Sequence, residues 1–170
     1  MWHERTTWYT SGMRWILGLA AVAVLATASV STATPAAPPA GAACRPTLTD
    51  GAGPFGRGLP PRRARIGAGH VLTGVILSEL DCRPIAGAAV QFWQSDGKGR
   101  YTRASSATVI TNRAGRFRFE GPFPASYEGR TPHIHMRVSA RLHETLLTRY
   151  EPARGSRRGT LRLVLISEAL

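Results

Sequence analysis

The chain is 170 residues long, which suits one modest domain, and it carries 22 Lys and Arg against 10 Asp and Glu for a formal net charge of +12. Arginine supplies almost all of that charge, because Lys98 is the only lysine. The basic residues fall in scattered clusters, PRRARIG (61–67), RAGRFRFEG (113–121) and ARGSRRG (153–159), a distribution that argues against a nucleic-acid binder and for a solvated basic surface that attracts anionic molecules.

The opening 14 residues are polar and include Arg5 and Arg14, and WILGLAAVAVLATASV (15–30) follows, apolar and rich in alanine. Small residues at 26–28 and 31–33 fit a leader-cleavage pattern. Residues 1–33 therefore read as a secretory signal peptide, with Met13 as an alternative start, and the mature protein is expected outside the cytoplasm, secreted, periplasmic or at the cell surface. The alternative is an uncleaved anchor, but the unbroken apolar run is shorter than the ~20 residues a comfortable span needs. No membrane span is expected after cleavage. TPAAPPAGAA (34–43) is a Pro/Ala linker with nothing to bury, which leaves 44–170 as the folded domain. Two cysteines remain, Cys44 and Cys82. In an exported chain an even number points to a disulfide tying the N-terminal segment to the domain, with two free thiols as the alternative.

Residues 44–70, rich in Gly, Pro and Arg, read as an irregular arm. Beyond them come short apolar runs separated by turn signals: VLTGVIL (71–77), AAVQFW (88–93), ATVIT (107–111), RFRFE (116–120), HIHMRVS (133–139), TLLTRY (145–150) and TLRLVLI (160–166). No run past residue 35 keeps a helical period. About seven short strands at such spacing predict an all-β fold, an antiparallel β-sandwich. Asp96-Gly97 and Asn112 to Gly115 read as hairpin turns. Trp93 reads as core; His70 and His143, with no partner to name, read as surface residues.

TPHIHMRV (131–138) places His133 and His135 one residue apart, and in a strand such positions share a face. Two imidazoles on one face either grip a metal or are ordinary polar residues. The nearby acids Glu120, Glu128 and Glu144 sit at no compelling spacing for a two-histidine, one-carboxylate ferrous site. The other candidate donors are phenolic: Tyr127, in a tight loop before His133, and Tyr101, read as opening a strand after the turn in DGKGRY. A phenol ionises near pH 10 unless a cation helps. Two phenolates and two neutral imidazoles suit Fe(III).

WQSDGKGRY (93–101) and GPFPASYEGRTPHIHMRV (121–138) resemble the two signature segments of the intradiol ring-cleavage dioxygenases. TLTDGAGPF (47–55) and GVILSELDCRPIAGAAVQFW (74–93) resemble that family's N-terminal segment and first strands, so the likeness spans about residues 44–150. The resemblance implies a mononuclear non-haem Fe(III) held by Tyr101, Tyr127, His133 and His135, with solvent as a fifth ligand. It implies a catecholic substrate and O2, ring opening between the hydroxyl-bearing carbons, and a cis,cis-muconate-type diacid product. Tyr127 would leave the metal and take up a substrate proton, and Arg130 would stabilise charge on the ring. Arg149 departs from the family, which commonly has glutamine there. The family's helical dimerisation region has no counterpart. The alternative function is a non-catalytic secreted binding module with the same sandwich and no iron.

Overall fold

The computed structural model describes residues 44–50 and 59–168. The expected leader (1–33) and linker (34–43), and part of the 47–55 segment, lie outside the described residues. Among the described residues no helix is long and apolar enough to cross a membrane.

Seven strands form: β1 (His70–Ser78), β2 (Ala89–Gln94), β3 (Ser106–Ile110), β4 (Arg116–Gly121), β5 (Ile134–Ser139), β6 (Leu146–Tyr150) and β7 (Arg158–Leu165). They make two sheets, β4-β1-β7 and β3-β2-β5-β6. Alternation writes the inner faces: Leu72 and Ile76 of β1, Phe117 and Phe119 of β4 and Leu163 of β7 meet Val90 and Phe92 of β2 and Ile134, Met136 and Val138 of β5 in one buried cluster. Phe92 stacks on Phe119 between the sheets, with centroids 4.3 Å apart. Gly74 lies on the same inner face, and a Cβ there would stand 2.5 Å from the Phe117 ring, so only glycine leaves that ring its place.

Each strand lies within two residues of its sequence-read position, and the described residues of the arm before His70 form isolated bridges, Arg62 to Thr108 and Arg65 to Glu120. The sandwich corrects three details. The four-stranded sheet is antiparallel throughout, but β1 and β7 run parallel. They are the first and last strands, so no hairpin dictates their direction. Asn112 to Gly115 is a tight turn, with Asn112 Oδ1 accepting from the Ala114 and Arg116 amides, yet it carries the chain from one sheet to the other and is no hairpin. His70 is buried, its Nδ1 2.9 Å from the Ser156 carbonyl and its ring stacked on Tyr150. It opens β1 on the inward parity, which its polarity hid.

Cys44 and Cys82 form the expected disulfide, 38 positions apart. It covers Leu77 and Val164 on the outer side of the three-stranded sheet. Closing a loop of that length contributes about 3–4 kcal/mol on the chain-entropy estimate.

Candidate metal centre

β5 presents two faces. Ile134, Met136 and Val138 fill the core, so His135 points to the outer face of the four-stranded sheet. In register beside it lie Trp93 of β2 and Arg149 of β6. Trp93 is buried as expected, but on this outer face, apart from the core cluster. His133 stands one residue before β5, after Pro132. Its Nδ1 lies 2.7 Å from the Thr131 carbonyl and donates to it, so Nε2 is the ring nitrogen turned toward His135 and Tyr101. The two Nε2 atoms are 3.1 Å apart, and both imidazoles are buried.

Tyr101 arrives from the β2–β3 connection. The sequence expectation that it opens a strand is overturned, since β3 begins at Ser106 and Tyr101 is loop. That loop is tied along its length. Ser95 Oγ accepts from the Gly97 and Gly99 amides, and Asp96 Oδ1 accepts from those of Lys98 and Arg100. The Asp96 carboxylate also pairs with the Arg100 guanidinium at 2.7 Å. The Lys98 amide first, and then Arg100, hold Asp96 below the usual carboxylate range. Gly97 and Gly99 both take positive φ, which lets the loop fold back on Ser95.

Tyr127 comes from a tighter device. The Arg130 amide donates to the Tyr127 carbonyl at 2.8 Å, closing a turn with Glu128 and Gly129 at its corners, both at positive φ. The turn aims Tyr127 at Tyr101 and sets the exposed Arg130 guanidinium 5.9 Å from the Tyr127 ring centroid. The phenol oxygens meet at 2.5 Å, and the Tyr101 oxygen is 3.4 Å from His133 Nε2.

All four predicted donors thus converge: two phenol oxygens and two imidazole nitrogens, with separations of 2.5, 3.1 and 3.4 Å where they touch. Donors about 2 Å from one ion are spaced this way. Among the described residues no three His, Cys, Asp or Glu side chains gather as a metal-holding group, so the cluster depends on its tyrosines. Electrostatics fits the donor chemistry. Burial first, then His133 and Arg149, hold His135 down to about 4, against an opposing pull from Asp50, so its imidazole is neutral at ordinary pH. Burial and the Tyr127 hydroxyl push the Tyr101 phenol well above its usual value, while Arg130 works the other way. A phenol so placed stays protonated until a cation reaches it, and two phenolates would then offset the charge of a trivalent ion.

Arg149, the departure from the family pattern, sits across from His135 with its Nε 2.9 Å from both Asp50 and Glu151. Sequence reasoning did not find this ion-pair group, because neither acid is near Tyr127 or His133 in the chain. The structure leaves His143 half-buried in the β5–β6 connection, away from the cluster.

No family model matches the chain, and no curated protein matches it. Solved structures do. The dioxygenase domain of a dioxygenase–carbohydrate-binding protein fusion from the cellulolytic bacterium Streptomyces sp. SirexAA-E is 25% identical with a TM-score of 0.63, over 72% of this chain and 99% of that one. An intradiol ring-cleavage dioxygenase from Tetranychus urticae is 29% identical with a TM-score of 0.58, over 64% of this chain and 65% of that one. Hydroxyquinol 1,2-dioxygenase from Pseudomonas putida DLL-E4, 16% identical over 72% of this chain and 67% of that one, shares the fold with a TM-score of 0.60. The likeness to intradiol ring-cleavage dioxygenases read from the signature segments therefore extends to the three-dimensional structure.

Proposed function

We propose, from that likeness, that this chain is an intradiol-type ring-cleaving dioxygenase that binds non-haem Fe(III) through Tyr101, Tyr127, His133 and His135. One observation carries the reading: two imidazoles and two phenols, delivered by three separate segments, converge on one point. Packing alone does not need four polar groups aimed at each other. When bound, Fe(III) supplies the redox centre at which a catechol becomes reactive toward O2. The reaction adds both atoms of O2 across the bond between the hydroxyl-bearing carbons and yields a cis,cis-muconate-type diacid.

The chain's own residues divide the remaining work. His133 and His135, both buried, are the fixed donors, and burial keeps the His135 imidazole neutral. Tyr101 is the fixed phenol, on the hydrogen-bonded loop. Tyr127, on a two-residue corner, is the phenol able to swing away and take up a substrate hydroxyl proton. Arg130, beside it and exposed, places positive charge where negative charge builds on the ring. The mature domain is 44–170, exported by the leader, and the disulfide between Cys44 and Cys82 supports an oxidising compartment.

The test is a visible spectrum with metal analysis on the purified protein, then addition of catechol under labelled O2. The expected result is a wine-red Fe(III)–phenolate band, close to one iron per chain, a shift on adding catechol, and two labelled oxygens in the product. A protein that stays colourless after iron loading overturns the proposal and leaves a non-catalytic binding module.

A further inference from the structure

The arginines that look scattered in the sequence are partly gathered by the sheet. We propose that the outer face of the three-stranded sheet docks an acidic polysaccharide, an extended polymer bearing carboxylates. This goes beyond the dioxygenase reading and stands whether or not the opposite face binds iron.

The register sets three rows across β4, β1 and β7: Glu120–Val71–Arg158, Arg118–Thr73–Thr160 and Arg116–Val75–Arg162. All four arginines are exposed. Strands ~4.8 Å apart and alternate residues ~6.8 Å apart put their backbones on a field roughly 10 Å by 13 Å. Glu120 is the single acid in these rows, and it is already engaged by Arg118 at 2.9 Å and Arg65 at 3.7 Å. A depression of about 290 Å³ lies within the field, between the Gly74, Phe117 and Leu161 positions and the side chains of Thr73, Val75, Thr160 and Arg116, the one arginine of the four that lines it. The threonine hydroxyls of Thr73 and Thr160 lie 3.3 Å apart at its middle. At one end the face is closed by the disulfide over Leu77 and Val164.

The chemistry selects the partner. Arginine forks match carboxylates in pairs, and the threonine hydroxyls can both donate to and accept from sugar hydroxyls. No aromatic side chain faces outward in these rows, so there is no platform on which nucleic-acid bases would stack. The only apolar side chains are the half-buried Val71 and Val75, which give a lipid surface nothing to anchor. The chain's own N-terminal segment offers no complement, because Glu4 is the only acid in residues 1–43. The candidate metal centre lies on the outer face of the other sheet, so a polymer docked here leaves it open.

The experiment measures binding of the full-length protein to soluble polygalacturonate at one fixed ionic strength. It compares the double variant Arg116→Glu/Arg158→Glu with an equal charge change on the other sheet and its loop, Arg137→Glu/Arg141→Glu, and checks thermal unfolding of both. The first pair is expected to weaken binding about tenfold or more, and the second less than about threefold. Should the reversals unfold the protein, the neutral pair Arg116→Gln/Arg158→Gln gives the same comparison. Equal losses in the two pairs would overturn the proposal, as would tighter binding to duplex DNA or to phosphatidylglycerol vesicles at that ionic strength.

Discussion

The two loops that bring the phenols together are built in opposite ways. The Tyr101 loop is long and hydrogen-bonded from within: two side chains, Ser95 and Asp96, satisfy four backbone amides. The Tyr127 turn is short, spends two positive φ angles, one of them on Glu128, and is closed by a single backbone hydrogen bond. One loop is stabilised into place and the other holds some strain. Under the proposed dioxygenase reading, in which one phenol stays and the other moves, that asymmetry supports Tyr101 as the anchor and Tyr127 as the phenol that swings.

The largest expected effect tests whether the two phenols are both ligands. Tyr101→Phe and Tyr127→Phe should each lower ring-cleaving turnover by more than about a hundredfold, since even residues behind a ligand cost ten- to a hundredfold. Iron content and the colour of each variant separate them. Tyr101→Phe should lose most of its iron, and Tyr127→Phe should keep more of it with an altered band. Equal iron loss in both would erase the distinction. Next comes Ser95→Ala, which leaves two amides of a tight loop unpaired beside a buried position. It should destabilise the fold by about 1–3 kcal/mol in urea or thermal melts, with a broader colour band as Tyr101 loosens. The smallest change is Glu128→Gly. Relieving a positive φ should stabilise by about 1 kcal/mol, because a non-glycine residue in that region costs roughly 1–2 kcal/mol, and turnover should change less than about twofold. A loss of stability there would mean that Glu128, near Gly99 in the other loop, is an essential contact.

Much of this was legible in the sequence, for a local reason. Strand alternation is a property of neighbouring residues, so Val71 to Leu77 or Arg116 to Glu120 declare themselves without partners. Sheet membership is not local. Nothing in NRAG distinguishes a hairpin from a corner between sheets, and nothing in TLRLVLI says that it will lie parallel to a strand at the other end of the domain. The four candidate donors were legible by type and order through the resemblance of their two segments to the dioxygenase signatures, since the His-x-His spacing and the two tyrosines carry little when taken alone. Their convergence was not, because it depends on two loops folding back over β5. Arg149 could be named as a departure, but its pairing with Asp50 and Glu151 needed the arm laid beside β6.

The parallel pairing of β1 with β7 also sets an order of events. Thr73 and Thr160 face each other across 87 positions, so the central strand of its sheet lacks one neighbour until nearly the whole domain has left the ribosome. A nascent chain can form the β2–β3 and β5–β6 hairpins early, but it cannot close the sandwich. Long-range closure of this kind folds in milliseconds to seconds rather than microseconds. During synthesis the polypeptide therefore stays open, and the sandwich locks when its last strand docks.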